Sequence, residues 1–237
     1  MDFLPIFLNI KNRNCLVVGG GEVAVRKITL LLQAGAQVSV ISPELDASLS
    51  EYVALGKIKH SAEHFQPSHL HNAVLVIAAT NNRVTNQLVS ETARQHLIPV
   101  NVVDNPDLCT FIMPSIIDRS PLMIAISSGG QSPVLARLLR AQLETIIPAA
   151  YARLTAIAGK LRQQVKEHFT HPEKRRIFWE KTLQGTFTDM VLAGRDKAAI
   201  DYLLQSREHE KDEEPQGEVY LVGAGPGNPD LLTFRAM

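Results

Sequence analysis

Three small residues near the N-terminus have the spacing of a nucleotide-binding turn. Residues 15 to 35 read CLVVGGGEVAVRKITLLLQAG, in which Gly19, Gly21 and Ala24 match the pattern G-x-G-x-x-G/A. The first small residue permits a tight turn, the second lets a pyrophosphate approach the backbone, and the third lets a helix pack closely on a strand. The alternative is a glycine turn without a ligand, but a plain turn does not need all three small residues. The pattern therefore predicts a dinucleotide cradle.

The elements around this turn are those that the pattern requires. The β-branched run 14–18 predicts a buried strand, and apolar residues at helical spacing predict a helix from Glu22 to Ala34. Further strands are predicted over 36–41, 73–80 and 98–104, and further helices over 46–56 and 84–96. This alternation predicts an α/β fold, a Rossmann-like parallel sheet with helices on both faces.

The end of the second predicted strand departs from the standard dinucleotide pattern. Ser42 stands where an acidic residue would bind the adenine ribose, and Glu44 follows two positions later and is the candidate for this role. No arginine directly follows the strand to hold a 2′-phosphate. The sequence therefore favours NAD over NADP.

The chain changes character after Asp104. Two apolar runs separated by DRSP predict a hairpin, and a helix begins near Ser132-Pro133. The apolar stretch Phe111–Ile126 and the helix after it predict a homodimer contact. Five regions are predicted: an NAD-binding domain over 1–113, a dimerisation region over 114–147, a helical domain over 148–206, a linker over 207–217 and the start of another domain over 218–237.

Composition excludes several classes of function. The 24 basic and 24 acidic residues balance, so no overall charge attracts nucleic acid or an anionic membrane. No apolar run is long enough to span a bilayer and the N-terminus does not resemble a signal peptide, so we expect a cytoplasmic protein. The two cysteines, Cys15 and Cys109, form neither a disulfide framework nor a metal-ligand pattern, and the histidine pairs His60/His64 and His69/His71 lack further ligands. We expect no resident metal.

Cationic and polar residues after the hairpin are candidates for an anionic substrate. Arg119, Arg137 and Arg140 flank the loop SSGGQSP, where Ser128 precedes a helix N-terminus; helix capping by Ser132 and surface roles for the arginines are the alternatives. The helical stretch carries basic residues that favour either a solvated face or contact with an anionic ligand: Arg153, Lys160, Arg162, Lys166, Lys174, Arg175, Arg176 and Lys181.

Four stretches give the chain a resemblance to a known family. VVGGGEVAVRK, the run from Asn101 to Arg140, RRIFWEK and VYLVGAGPGNPDLLT together resemble the trifunctional sirohaem synthases. The resemblance implies oxidation of precorrin-2 to sirohydrochlorin with NAD, followed by insertion of ferrous iron as a substrate. A further module of that family methylates uroporphyrinogen III with S-adenosylmethionine. Only the opening of that module is present, with Gly223, Gly225 and Pro226 in its glycine loop, so methylation is expected only of a longer parent chain.

The resemblance also implies roles for individual residues. The cofactor site falls on the glycine loop with Glu22 and Val23, on Pro43 and Glu44, and on Thr80 at the end of the third predicted strand. The catalytic carboxylate falls on Asp104, and a turn-capping role is the alternative for this residue. One carboxylate could accept the protons released in both reactions. A rival function is an NAD-sensing regulatory domain, which would use the same glycine loop without catalysis.

Overall fold

The computed structural model describes residues 2–209, and its two compact units are treated separately. The first unit comprises Met1–Asp118 and Met123–Ile146, and the second comprises Arg119–Leu122 and the chain from Ile147 on. Along residues 2–209, no helix is both long and apolar enough to cross a membrane.

The first unit is built on a five-stranded parallel sheet. Its strands are β1 Asn14–Val18, β2 Gln37–Ile41, β3 Ile58–Ser61, β4 Leu75–Ala78 and β5 Val100–Val102, in the order β3-β2-β1-β4-β5. The register pairs Val18 with Ile41 on one side and with Ala78 on the other. All pairings are parallel, so the carboxyl ends of the strands form one edge. The predicted α/β class is confirmed.

Helices cover both faces of this sheet. The helices are α1 Glu22–Gln33, α2 Ala47–Ala54 and α3 Arg83–Gln95. Alternate strand residues bury against α1 and α2 in one cluster, and the others bury against α3 in a second cluster. The connection therefore changes face between β1 and β4, and ligands of open α/β sheets bind at the crevice where the strand order reverses in this way.

One part of the first unit is more regular than we expected. The sequence predicts no strand between 56 and 73, but Ile58–Ser61 forms β3 at the sheet edge, and a short 3₁₀ helix follows at Pro67–Leu70. Only Ile58 of β3 is buried, because an edge strand packs on one side. Its polar residues therefore hide the alternation that identifies a strand.

The hairpin and its following helix are as predicted. β6 Ser115–Arg119 pairs with β7 Leu122–Ile126, and α4 spans Pro133–Ile146. Leu135 N–H donates to Ser132 Oγ at 3.4 Å, which agrees with the capping alternative for this serine. Several apolar side chains of α4 are exposed, namely Val134, Leu135, Leu138 and Leu139.

The second unit is helical. It contains α5 Tyr151–His168, α6 Pro172–Gln184, α7 Thr186–Leu192 and α8 Asp196–His209. Its core forms around Leu154, Leu161 and Val165 of α5 with Phe178 and Phe187. The last helix extends three residues into the predicted linker, to His209.

Candidate dinucleotide site and catalytic edge

Backbone hydrogen bonds hold the carboxyl edge of the sheet together. Gly19 N–H donates to Ile41 O at 2.9 Å, and Ala79 N–H donates to Val18 O at 2.8 Å. Beyond β4, Val103 N–H donates to Ala78 O at 2.9 Å. The residues that follow β1, β2, β4 and β5 are thus fixed relative to one another at the place where an open α/β sheet binds its ligand.

The three consecutive glycines have three different structural roles. Gly19 has a φ of +113°, which L side chains rarely adopt, and a Cβ there would collide with the carbonyl of Ala79. A Cβ on Gly20 would collide with the carbonyl of Glu44 and lie 2.9 Å from the Ser42 Oγ. A Cβ on Gly21 would meet no protein atom within 4 Å.

The open position at Gly21 is the one that the dinucleotide pattern reserves for a pyrophosphate. Gly21 has a φ of −89°, so its backbone conformation does not itself require glycine. The need for a small residue there arises from what approaches from outside the protein. The role of Gly20, in contrast, was missed from the sequence because the motif treats that position as variable.

The N-terminus of α1 is open to an anion. Its N-cap, Gly21, makes no side-chain hydrogen bond, and Val25 N–H donates the first helical hydrogen bond, to Gly21 O at 3.2 Å. The amides of Glu22, Val23 and Ala24 precede that bond, and such amides point out of a helix towards its N-terminal ligand. Ala24 is fully buried, as the close packing of α1 on the sheet requires. The residues therefore fit a bound dinucleotide.

The segment after β2 supports the glycine turn through its backbone. Ser42 is buried, and its hydroxyl donates to Glu44 O at 2.7 Å. His60 Nε2 lies 2.8 Å from Ser42 O, and Asp46 N–H donates to Gly20 O at 2.7 Å. Ser42 therefore has a structural role, while the side chains of Pro43 and Glu44 are exposed beside the turn. This leaves Glu44 accessible to a ribose.

Thr80 lies beside the first glycine of the turn. Its Cγ2 would be 3.2 Å from a Cβ on Gly19. Its hydroxyl donates to Asn86 Oδ1 at 2.8 Å, and Asn86 Nδ2 donates back to Thr80 O at 2.9 Å. These bonds fix the segment between β4 and α3, so Thr80 forms one wall of the crevice.

Asp104 follows β5 by two residues rather than ending it. Its φ is +58°, and its side chain is exposed. Aspartate and asparagine tolerate this left-handed conformation better than most residues, and such conformations concentrate at functional sites. Adjacent strands lie about 4.8 Å apart, and only β4 separates β5 from β1. Asp104 therefore belongs to the same edge as the glycine turn.

Cys109 stabilises the turn that presents Asp104. Val102 N–H donates to Cys109 Sγ at 3.1 Å, and the thiol donates to the carbonyls of Val102 and Asn105 at 3.3 and 3.4 Å. Burial raises the pKa of the Cys109 thiol, while the Val102 hydrogen bond acts in the opposite direction. Cys109 thus has a structural role beyond filling space, which its isolated position in the sequence did not indicate.

Lys27 brings a positive charge to the same edge. Burial lowers the pKa of Lys27 and neighbouring Arg26 lowers it further, whereas Asp104 and Cys109 oppose the shift. The ammonium group is therefore within electrostatic reach of the Asp104 carboxylate. Lys27 was missed from the sequence because its interaction with Asp104 arises only in the fold.

The predicted substrate residues are distributed over both units. Ser128 Oγ accepts from Ser132 N–H at 2.9 Å. Arg137 and Arg140 lie exposed on α4, and Arg140 is 3.4 Å from Glu144. Arg119 belongs to the second unit, where its Nε donates to Ile147 O at 3.1 Å. The predicted S-adenosylmethionine residues Gly223, Gly225 and Pro226 lie outside the described residues.

His60 and His69, one from each predicted pair, contact protein groups. His69 Nδ1 accepts from Gln66 N–H at 3.0 Å, and its Nε2 is 3.3 Å from Glu63. Within residues 2–209, no three His, Cys, Asp or Glu side chains are grouped as metal ligands.

Comparison with known proteins gives consistent matches along the chain. Family models match residues 6–115 as NAD(P)-binding, residues 119–145 as the central part of a sirohaem biosynthesis protein, and residues 150–206 as the sirohaem synthase dimerisation region. Siroheme synthases of Nitrosomonas eutropha and Nitrosomonas europaea are 63% and 61% identical over 238 residues, which is 100% of this chain and 50% of each relative. The chain thus spans about half the length of these curated relatives.

A solved structure shares the fold. The structure of SirC, a precorrin-2 dehydrogenase, superposes with a TM-score of 0.67 at 24% identity, covering 87% of this chain and 100% of that one. The fold and the glycine-lined crevice define a Rossmann-type NAD(P)-binding protein. The chain is similar along its whole length to siroheme synthases, as the sequence motifs indicated.

Proposed function

We propose that this chain oxidises precorrin-2 to sirohydrochlorin with NAD as hydride acceptor. The observation that carries the proposal is Asp104, a carboxylate held at φ +58° past β5, on the sheet edge that also carries the open glycine turn. A dehydrogenase needs a base beside its dinucleotide, and a sensor does not. The names of the relatives, siroheme synthase and precorrin-2 dehydrogenase, support the same reaction.

Some residues of the site would bind the cofactor, and Asp104 would transfer the proton. The amides of Glu22 to Ala24 and the open position at Gly21 would hold the pyrophosphate, and Glu44 would bind the adenine ribose. Bound NAD supplies the hydride acceptor. Asp104 accepts the proton that leaves the substrate, and Lys27 brings a positive charge within electrostatic reach of Asp104.

We further propose that ferrous iron enters sirohydrochlorin at the same carboxylate. Insertion of the ion releases protons from pyrrole nitrogens, and Asp104 would accept them. The substrate carries acetate and propionate arms, for which Ser128, Arg119, Arg137 and Arg140 are candidate ligands.

The direct test is turnover. The protein is incubated with precorrin-2 and NAD, NADH formation is followed by absorbance, and ferrous iron is then added to measure conversion to sirohaem. We expect stoichiometric NADH followed by iron uptake. NAD binding without any turnover would instead identify a sensing domain and contradict the proposed function.

We also propose that the chain forms a homodimer. The exposed apolar side chains of α4 support a contact there, whereas the family model named for dimerisation matches residues 150–206. Leu138, on α4, is 55% exposed and Ile177, on α6, is 40% exposed. We expect Leu138→Glu to shift sedimentation towards the monomer at micromolar concentration. A monomeric wild-type protein would contradict the dimer, and dissociation by Ile177→Glu alone would move the contact to the helical unit.

A further inference from the structure

The helical unit contains a cavity that the proposed function does not use. The cavity, here called the basic groove, has a volume of about 780 Å³, within the range of about 300–1,000 Å³ common for ligand sites. Each of two helices contributes four residues at positions i, i+3, i+4 and i+7, which share one helix face. They are Gly159, Arg162, Gln163 and Lys166 from α5, and Pro172, Arg175, Arg176 and Trp179 from α6.

The charge of the basic groove is not balanced by its own lining. Its lining includes four cations and no carboxylate. Arg176 pairs with Glu180 at 3.0 Å, but Arg162, Lys166 and Arg175 form no ion pair with any residue in the described range 2–209. Other cations of the unit are used internally, since Arg153 lies 3.6 Å from Asp196. The sequence could not separate the basic residues with structural contacts from those that converge on a cavity.

The groove also has a flat apolar wall. Trp179 is half-buried, and its ring meets that of Phe178 edge-on at 5.8 Å, while Phe178 itself is fixed in the core. A Cβ on Gly159 would meet no atom within 4 Å, so the α5 side is open beside the arginines. Guanidinium groups bind carboxylates through paired hydrogen bonds, and an indole face accepts a flat ring.

We propose that the basic groove is a binding site for a flat anionic ligand that carries several carboxylates. Arg162 and Arg175 bind carboxylate arms, one from each helix, and Trp179 contacts the ring face. The assignment to a tetrapyrrole carrying acetate and propionate arms rests on the proposed function. An acidic peptide would satisfy the charges but would not need the apolar wall.

Trp179 makes this site measurable, because it is the one tryptophan in the sequence. The full chain is titrated with uroporphyrin, an oxidised tetrapyrrole with eight carboxylates, and Trp179 fluorescence and calorimetric heat are recorded. We expect saturable binding that the double variant Arg162→Gln/Arg175→Gln weakens by about tenfold or more, as expected from losing charge-assisted hydrogen bonds. The charge-matched control Lys160→Gln/Lys174→Gln changes cations of the same helices outside the groove, and we expect a change of less than about twofold.

The position of the ligand is decided by the variants, because a porphyrin bound elsewhere can also quench a tryptophan by energy transfer. Absence of saturable binding, or equal weakening in the two double variants, would overturn the proposal. Loss of the dimer in Arg162→Gln/Arg175→Gln would also overturn the proposal, because it would make the groove a subunit contact. Full displacement of the porphyrin by a glutamate-rich peptide at equal concentration would overturn it as well. NADH formation is measured separately. Turnover by the wild type, with unchanged uroporphyrin binding in Arg162→Gln/Arg175→Gln, would refute the groove site alone. Binding at the groove without NADH formation would refute the proposed function alone.

Discussion

Three helices of the first unit begin at the same edge of the sheet, and one of them begins differently. At α2, Asp46 Oδ1 accepts from Ser48 N–H at 2.8 Å. At α3, Asn82 Oδ1 accepts from the amides of Val84 and Thr85 at 3.0 and 3.1 Å. At α1 the N-cap is Gly21, which makes no side-chain hydrogen bond.

The difference leaves the first amides of α1 without a side-chain acceptor, which favours the candidate anion site at this helix end. A helix N-terminus needs acceptors for its first amides, and a side chain of the N-cap residue usually supplies one. The helices after β2 and β4 satisfy this need themselves. The helix after β1 does not, and it stands beside the point where the strand order reverses. The missing cap and the open space at Gly21 are therefore two aspects of one site.

We expect the largest effect from a change at Asp104, which alters the rate of catalysis rather than cofactor binding. Asp104→Asn should reduce the rate of NADH formation by about 10²–10⁴-fold, the usual effect of losing a general base. NAD affinity should stay unchanged, because the amides at α1 lie elsewhere on the edge. Asparagine is preferred to alanine here since it tolerates the φ of +58°. Rates and calorimetric NAD affinities are measured together.

Asp107 provides the matched control for this prediction. It is an exposed carboxylate in the next turn, Pro106–Leu108. We expect Asp107→Asn to retain full activity. An unchanged rate in Asp104→Asn would leave Asp104 as a turn residue, and loss of dehydrogenation without loss of iron insertion would disprove the shared base.

Gly21→Asp tests the comparison itself, because it gives α1 the kind of cap that Asp46 gives α2. The backbone at Gly21 is already extended and nothing lies within 4 Å of the new Cβ, so the variant should fold. Its free energy of unfolding should be unchanged or higher by a few tenths of a kcal/mol. NAD affinity should fall by about 100-fold or more, since the carboxylate occupies and repels the position of the pyrophosphate. Wild-type NAD affinity in the folded variant would refute the site.

Gly20→Ala, at the adjacent residue, should lower the stability of the fold, whereas Gly21→Asp should lower NAD affinity. The new Cβ collides with the carbonyl of Glu44. The same Cβ would also lie 2.9 Å from a methyl group of Leu45. We expect a loss of about 1–3 kcal/mol in the free energy of unfolding, as for other overpacked sites. Gly21→Ala is the control and should unfold like the wild type in urea. Equal stabilities for the two alanine variants would show that the segment after β2 does not pack on the turn.

Removing the cap from α3 gives the smallest effect. Asn82→Ala should lower the free energy of unfolding by about 1 kcal/mol, because two amides lose their acceptor. NAD affinity should not change, since α3 supplies its own cap instead of binding the cofactor. Thermal unfolding and an NAD titration of the same sample check both expectations, and weaker NAD binding would place this helix end in the site.

Local patterns in the sequence were sufficient for most of the fold and for the position of the glycine turn that forms the candidate cofactor site. The helical spacing in α1, the buried runs of β1 and β4 and the positions of Gly19, Gly21 and Ala24 are properties of consecutive residues. The edge strand β3 was missed because its exposed side removes the alternation. The role of Gly20 was missed because it depends on contact with the segment after β2, which is distant in sequence. The role of Cys109 was missed because its hydrogen bonds to the turn at Asp104 belong to no motif.

Short-range spacing in the amino-acid sequence encodes the α/β class, the likeness to siroheme synthases and the position of the glycine turn. Only the packing of the elements brings Lys27 within electrostatic reach of Asp104 and places Gly20 under the segment after β2. It also decided which basic residues of the helical unit converge on one cavity. These relations arise only when helices pack, since packing brings together side chains whose separation along the chain carries no periodic signal.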